Sequence, residues 1–286
     1  MKKVGKTILT ILVITTLVLG IRRLLSHYDP RVRVGSECSI PAIATQQMLF
    51  ADDFEEPSIQ EFWAEPDAGS GRYEPGAVAT TNERDARNGT GCVSITLREG
   101  DVSDGNNNER AELDSGKHPF LGRTIRYQFS ILIPNDFPQI ENRLVIAQFK
   151  QKSYHNGPIV AQRFRGGRHY LSIRTIDRVL DGRRYFPLPD LVPEVWHDMD
   201  YLIRYATDDS GFVSVKMDGE EVVRYCGPTA STQGRNSFYN KIGLYRDRWP
   251  DPMTIFFDDY RLSEVETSRA HRSPDLEPEE DATPED

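Results

Sequence analysis

The chain has 286 residues, of which 44 are acidic and 35 basic, so its formal net charge is −9. Apolar residues make up 38% and the mean hydropathy is −0.55, which excludes a polytopic membrane protein. The acidic balance also argues against non-specific nucleic-acid binding, because such binding depends on neutralisation of phosphates by Lys and Arg. The charge is uneven: residues 1–33 carry seven basic and one acidic side chains, and residues 267–286 carry two and seven. The central part, 34–266, therefore has a net charge of −10.

The N-terminus has the pattern of a targeting segment. A basic leader with Lys2, Lys3 and Lys6 precedes an apolar run from Ile8 to Ile21. This pattern predicts a signal peptide or an uncleaved signal anchor over residues 1–28, because the run is shorter than the ~20 residues of a full span. We therefore expect a secreted or extracytoplasmic protein, anchored to the membrane if the segment is not cleaved.

The remaining chain divides into three parts. Residues 29–45 contain Pro30, Gly35 and Pro41 and predict a linker. Residues 46–266 form the globular domain, and the Glu/Asp/Pro-rich tail 267–286 is expected to be disordered and solvated.

The three cysteines are Cys38, Cys92 and Cys226. No C-x-x-C pair is present, which excludes a cysteine-rich zinc site. In an oxidising compartment one disulfide and one spare thiol are expected, and the spacing leaves the pairing open.

Between residues 46 and 266 the chain reads as a series of short strands. β-Branched and aromatic residues alternate or cluster in segments bounded by Gly, Pro, Asn and Asp: CVSITL (92–97), TIRYQFSILI (124–133), LVIAQFK (144–150), HYLSIRT (169–175), DYLIRYA (200–206), GFVSVKMDG (211–219), EVVRYC (221–226), KIGLY (241–245) and TIFFDDYRL (254–262). Met217-Asp218-Gly219 predicts a hairpin turn. One all-β domain, a sandwich or jelly roll, is therefore expected.

Alternation sends successive side chains of a strand to opposite faces. In 144–150 it groups Val145, Ala147 and Phe149 against Ile146, Gln148 and Lys150. In NERAELD (108–114) it separates Arg110, Glu112 and Asp114 from the apolar residues. In YNKIGLYRD (239–247) it puts Tyr239, Lys241, Gly243 and Tyr245 opposite Ile242 and Leu244. A single polar face of this kind is typical of any half-buried strand. Arg, Gln, Lys and Tyr together, however, are suited to bind a carboxylate and to move a proton next to it.

The domain resembles a known family over 46–266. The resemblance rests on NNNERAEL (106–113), VIAQFKQ (145–151), the segment from Trp196 to Thr229, and 239–263. These motifs are similar to those of polysaccharide lyases with a concanavalin-like β-jelly-roll fold, the group that contains glucuronan lyases and heparin lyase I. The resemblance implies cleavage of an acidic, uronic-acid-containing polysaccharide by β-elimination.

The resemblance also implies roles for five catalytic groups. Arg110 is expected to bind the substrate carboxylate, Gln148 to donate a hydrogen bond, and Lys241 and Tyr245 to act in proton transfer. Lys150 stands where the family often has a His, which leaves the general base open between Lys150, His155 and Tyr245. The polar neighbours expected to bind substrate are Glu112, His155, Tyr239, Arg246 and Trp249.

Two other functions are compatible with the same fold. A glycoside hydrolase of the same fold needs a spaced pair of carboxylates, typically E-x-D-x-x-E, and Lys117 occupies the final Glu position after Glu112 and Asp114. A non-catalytic carbohydrate-binding module remains the alternative. It would use aromatic platforms such as Trp63 or Trp249.

No cofactor is expected to be required. Asp52-Asp53 and Asp258-Asp259 could hold a structural Ca²⁺, although solvated edge carboxylates are the preferred interpretation. We expect a monomer. Because the domain is acidic, a polyanionic chain needs a local positive groove, for which the sequence offers Arg110, Lys150, Lys241, Arg246 and Arg248.

Overall fold

A computed structural model describes residues 33–63, 74–82, 84–101, 107–153, 157–174 and 183–268. The predicted signal or anchor segment and all but the first two residues of the predicted tail lie outside these ranges. Within them, no helix is long and apolar enough to cross a bilayer.

The described residues form strands and one short 3₁₀ turn (Gly35–Glu37), with no α-helix. The strands are β1 (Arg33–Val34), β2 (Ile43–Asp52), β3 (Val78–Thr81), β4 (Cys92–Leu97), β5 (Asn108–Asp114), β6 (Thr124–Leu132), β7 (Leu144–Gln151), β8 (Val160–Arg165), β9 (Arg168–Arg174), β10 (Arg183–Pro187), β11 (His197–Arg204), β12 (Phe212–Met217), β13 (Glu220–Cys226), β14 (Phe238–Asp247) and β15 (Met253–Thr267). The predicted all-β class is confirmed.

Two antiparallel sheets pack face to face, as in a jelly-roll sandwich. The nine-stranded sheet has the order β1-β13-β12-β11-β6-β15-β4-β3, with β2 also paired to β15. The six-stranded sheet has the order β10-β9-β8-β7-β14-β5. In this second sheet β14 lies between β7 and β5, so three strands that are far apart in sequence meet at its centre.

Aromatic residues from both sheets fill the core. The ring of Phe149 on β7 lies 4.8 Å from those of Tyr127 and Tyr201 on the opposite sheet. Each buried tyrosine hydroxyl finds a partner, as burial requires: Tyr201 donates to Gln162 at 2.6 Å, and Tyr260 donates to Asn240 at 2.7 Å.

A bulge on β7 changes the predicted face alternation. Val145 pairs with Arg163 and Ala147 with Gln162, so Ile146 is the extra residue. Ile146 therefore joins the core cluster, and Val145 shares the outer face with its partner Tyr245. The predicted grouping of these two residues is reversed, whereas Gln148 and Lys150 keep theirs.

The ordered domain begins before the predicted boundary at residue 46. Within the predicted linker, β1 pairs with β13, and Cys38 forms a disulfide with Cys226. Cys92 is free and buried. The predicted turn after Met217 is confirmed: Asp218 and Gly219 have φ of 53° and 84°, the left-handed values of a two-residue hairpin turn.

Candidate active site

The outer face of the six-stranded sheet collects most of the predicted site. On β14, Tyr245 lies opposite Arg110 and Lys241 opposite Asp114 of β5. On its other side, Lys241 lies opposite Gln148 and Tyr239 opposite Lys150 of β7. We call this surface the groove face; the predicted residues that it brings together are Arg110, Glu112, Gln148, Lys150, Tyr239, Lys241 and Tyr245.

Tyr245 is held between charged neighbours. The guanidinium carbons of Arg110 and Arg143 lie 4.6 and 4.7 Å from the centre of its ring. Arg143 is itself anchored by Asp247, with 2.7 Å between Nη2 and Oδ1, and by a hydrogen bond to Asn108. The half-buried phenol therefore lies beside two cations, at a place where a substrate carboxylate would be attracted.

Lys241 is held by an acidic residue of the adjacent strand β5. Its Nζ lies 3.3 Å from Asp114 Oδ2 and 5.9 Å from the ring centre of Tyr239. Lys241 is only 5% exposed, so its ion pair with Asp114 is shielded from solvent and fixes the position of the ammonium group.

Gln148 and Glu112 form a buried pair. The Gln148 amide donates a hydrogen bond to Oε1 of Glu112, and both side chains are 4% exposed. Within the described ranges, Glu112 Oε2 has no hydrogen-bond partner. Since an unsatisfied buried carboxylate oxygen is costly, Oε2 is suited to accept a hydrogen bond from a sugar hydroxyl.

Lys150 is set apart by its electrostatics. Burial lowers its pKa from the ordinary lysine value, and the positive charges of Lys241 and Arg110 act in the same direction. Glu112 and Asp114 oppose the shift. The Nζ of Lys150 lies 5.8 Å from the centre of the Tyr239 ring. No carboxylate of the described residues forms an ion pair with Lys150. A lysine in this setting has a larger neutral fraction near neutral pH than an exposed one, as a proton acceptor requires.

Gly243 makes the close packing of β14 and β5 possible. Its φ is +135°, and a Cβ at this position would lie 2.4 Å from the carbonyl oxygen of Ala111 and 2.8 Å from Cα of Glu112. Only glycine therefore fits between Lys241 and Tyr245 at this sheet spacing.

Two predicted substrate-binding residues of the described ranges, Arg246 and Trp249, are not brought to the groove face. Arg246 is fully buried on the core side, where its Nε donates to Glu109 at 2.9 Å and its other nitrogens donate to the carbonyls of Asp251 and Trp249. Trp249 is half-buried and packs against the core. His155 lies outside the described residues.

The other candidate groups have structural contacts. Arg248 is exposed and pairs with Glu99 at 3.2 Å. Asp52 accepts hydrogen bonds from Phe54 N, Gln60 and Trp63, which satisfies a carboxylate otherwise available to Ca²⁺.

Asp258 likewise accepts hydrogen bonds from the backbone amides of Arg87 and Asn88, and burial raises its pKa to about 6. In the described part of the chain, no group of three or more His, Cys, Asp or Glu side chains could hold a metal ion.

Sequence reasoning missed two arginines, Arg143 and Arg163. Arg163 on β8 pairs with Val145, which in turn pairs with Tyr245, so it lies on the groove face. Burial lowers its pKa to about 10, with Arg183 as the next cause. The alternation of residues 160–165 assigns Arg163 to one face of β8. That this face is the groove face is evident only once the bulge on β7 is known.

Comparison with known proteins identifies the family of the domain. A family model described as polysaccharide lyase matches residues 60–261, well over half of the chain. The chain belongs to the polysaccharide lyase family. Among curated protein sequences, none matches this lyase.

Solved structures share the fold at low sequence identity. The endo-β-1,4-glucuronan lyase of the fungus Trichoderma reesei is 16% identical, with a TM-score of 0.58 over 76% of this lyase and 95% of that chain. The alginate lyase Aly36B, solved with an alginate trisaccharide, is 11% identical, with a TM-score of 0.51 over 79% of this lyase and 100% of that chain. At these identities the likeness concerns the fold, and the chemistry must be argued from the groove face itself.

Proposed function

We propose that this enzyme cleaves a uronic-acid-containing polysaccharide by β-elimination on the groove face. The observation that carries the proposal is the placement of Tyr245 against Arg110 and Arg143, with Gln148 and Lys150 on the adjoining strand. A carboxylate binder, an amide donor and two proton-transfer groups are the parts that elimination from a uronate needs.

The first step concerns the substrate carboxylate. An ionised carboxylate makes the neighbouring C5 proton poorly acidic, and the negative charge grows as that proton leaves. The guanidinium of Arg110 provides a fork for the carboxylate oxygens, and the Gln148 amide, oriented by Glu112, provides a second donor. Both groups stabilise the enolate-like intermediate.

The second step moves two protons. Lys150 accepts the C5 proton as a neutral amine, because burial lowers its pKa. The C5–H electron pair forms the C4–C5 double bond, and the C4–O4 bond breaks. Tyr245 donates its phenolic proton to O4 of the leaving sugar. The products are an unsaturated uronate and a chain end with a free hydroxyl.

Product analysis against a panel of polymers tests this proposal. Glucuronan, alginate and heparin are incubated with the purified enzyme, and the ultraviolet absorbance of unsaturated ends is followed while binding is measured in parallel. The proposal predicts absorbance growth with at least one of them. Binding without any unsaturated product would instead identify a carbohydrate-binding module.

We also propose that the enzyme acts outside the cytoplasm. The Cys38–Cys226 disulfide supports this, because such bonds persist in oxidising compartments, and it agrees with the predicted leader over 1–28. Fractionation of cells that express the full chain checks this: a cytosolic enzyme with both thiols reduced would contradict it.

A further inference from the structure

Arg163 is a buried cation without a counter-ion in the described part of the chain. It is 6% exposed, and its hydrogen bond there runs from Nε to Ser172 Oγ at 2.8 Å. No carboxylate of the described residues pairs with Arg163, and the charged groups that act on it most are arginines and tyrosines. An unpaired buried charge is costly, so such an arrangement indicates a place where an anion binds.

The surroundings strengthen this conclusion. Besides burial, two cations, Arg183 and Arg143, lower the pKa of the Arg163 guanidinium. Two phenols, those of Tyr170 and Tyr185, act in the opposite direction. Burial and the two cations hold the pKa of Arg163 down to about 10, so the guanidinium remains charged at neutral pH in a repulsive setting. An anionic ligand would relieve that repulsion.

The position of Arg163 relates it to the proposed chemistry. Tyr245, Val145 and Arg163 lie side by side on β14, β7 and β8. Two strand spacings separate Tyr245 from Arg163, or about 10 Å between backbones. Arg143 lies against the Tyr245 ring and also acts on Arg163, so positive charge continues from one residue to the other.

We propose that Arg163, positioned by Ser172, forms a subsite for the carboxylate of a sugar further along the chain than the one that is cleaved. This inference rests on the proposed function and sharpens its substrate class. The enzyme would favour polymers that carry a carboxylate on this further sugar over polymers in which that sugar is neutral. Ser172 fixes one edge of the guanidinium and leaves its two terminal nitrogens to form a fork.

Calorimetric binding to an inactive variant tests the subsite directly. In a Tyr245→Phe background, the ligand is a polyglucuronate oligosaccharide or the same oligosaccharide with its carboxylates reduced to alcohols. Arg163→Gln is expected to weaken binding of the carboxylated ligand about tenfold and to leave the reduced ligand unaffected. Lys216→Gln, which removes one positive charge from the exposed side of the other sheet, is the matched control and should change neither.

A folded Arg163→Gln variant with unchanged affinity for the carboxylated ligand would overturn the proposal. If Arg163→Gln does not fold, Arg163→Lys decides: the subsite predicts a few-fold weakening confined to the carboxylated ligand, and unchanged affinity would contradict it.

The two proposals fail separately. If the unmodified enzyme forms no unsaturated product from any polyuronate but Arg163→Gln still weakens carboxylate binding, the β-elimination proposal fails and the subsite stands. If products form and Arg163→Gln alters neither affinity nor KM, only the subsite fails.

Discussion

At the scale of single residues, the role of Tyr245 as proton donor is the most specific part of the proposed mechanism. Replacing Tyr245 by Phe removes the phenolic proton but keeps the ring between Arg110 and Arg143. We expect kcat to fall about 10²–10⁴-fold with little change in substrate affinity. Steady-state kinetics with a binding measurement check this, and a variant with near-normal kcat would exclude Tyr245 as the acid.

Lys150 offers a test by pH profile. If its amine accepts the C5 proton, activity rises with pH as Lys150 loses its own proton, at a pKa lowered from the ordinary lysine value. Lys150→His should retain activity and move this rise to lower pH, because imidazole has an ordinary pKa of about 6.5. Lys150→Met should lose most of the rate. An unchanged pH profile in Lys150→His would assign the base to another group.

Sequence reasoning succeeded for residues whose face follows from simple alternation. Arg110, Gln148, Lys241 and Tyr245 were placed together on that basis and by family resemblance, and the register confirms that they share a face. The same alternation on β14 groups Arg246 with the core residues around it. The burial of Arg246 could therefore be predicted from the sequence, whereas its partner Glu109 could be identified only from the fold.

At the scale of elements, two irregularities of strand pairing define the groove face, and neither can be predicted from the alternation of residues in the sequence. The bulge on β7 exchanges the faces of Val145 and Ile146. On β14 the pairing with β7 also shifts between Ile242 and Tyr245, next to Gly243. Bulges re-aim side chains near functional sites, and their positions depend on three strands meeting in one sheet.

Gly243 provides the test at this scale. Gly243→Ala should lower the free energy of unfolding by about 2–4 kcal/mol, because the new Cβ meets the Ala111 carbonyl at an unfavourable φ. Gly219→Ala is the control: it has a left-handed φ but open space around it, and should cost about 1 kcal/mol. Chemical denaturation measures both, and equal costs would show that sheet spacing does not depend on Gly243.

At the scale of the whole molecule, the acidic domain of net charge −10 concentrates positive charge on one face of one sheet. Arg110, Lys150 and Lys241 were expected there, whereas Arg246 and Arg248 are engaged with Glu109 and Glu99. Arg143 and Arg163 take the place of the latter two. The requirement for a local cationic groove was thus predictable from charge, but its members depended on tertiary packing.

The sandwich also contains a buried polar network that predicts its acid stability. Nδ1 of His169 donates a hydrogen bond to Pro189 O, Nε2 accepts one from the Gln162 amide, and burial lowers the pKa of His169 to about 4. The unfolded chain takes up a proton near pH 6.5, whereas the folded protein does so only near 4. Stability should therefore fall by about 3 kcal/mol as pH drops from about 6.5 to 4.

Replacing His169 by Gln removes this proton uptake. The free energy of unfolding of His169→Gln, measured by denaturant titration at several pH values, should depend less on pH in that window than that of the unmodified protein. Identical slopes in the two proteins would show that His169 is not the group responsible.

The mass of the product released from a polyuronate tests β-elimination most directly, because it records which bond chemistry occurred. At each cut, elimination leaves the fragment on the reducing side one water lighter than hydrolysis would, with a C4–C5 double bond at its new non-reducing end. We predict this lighter, unsaturated fragment from the unmodified enzyme, and its formation at least about 10²-fold more slowly by Tyr245→Phe. Products that all have the mass expected for hydrolysis, or a normal rate of formation of unsaturated product by Tyr245→Phe, would contradict the proposed chemistry of the groove face.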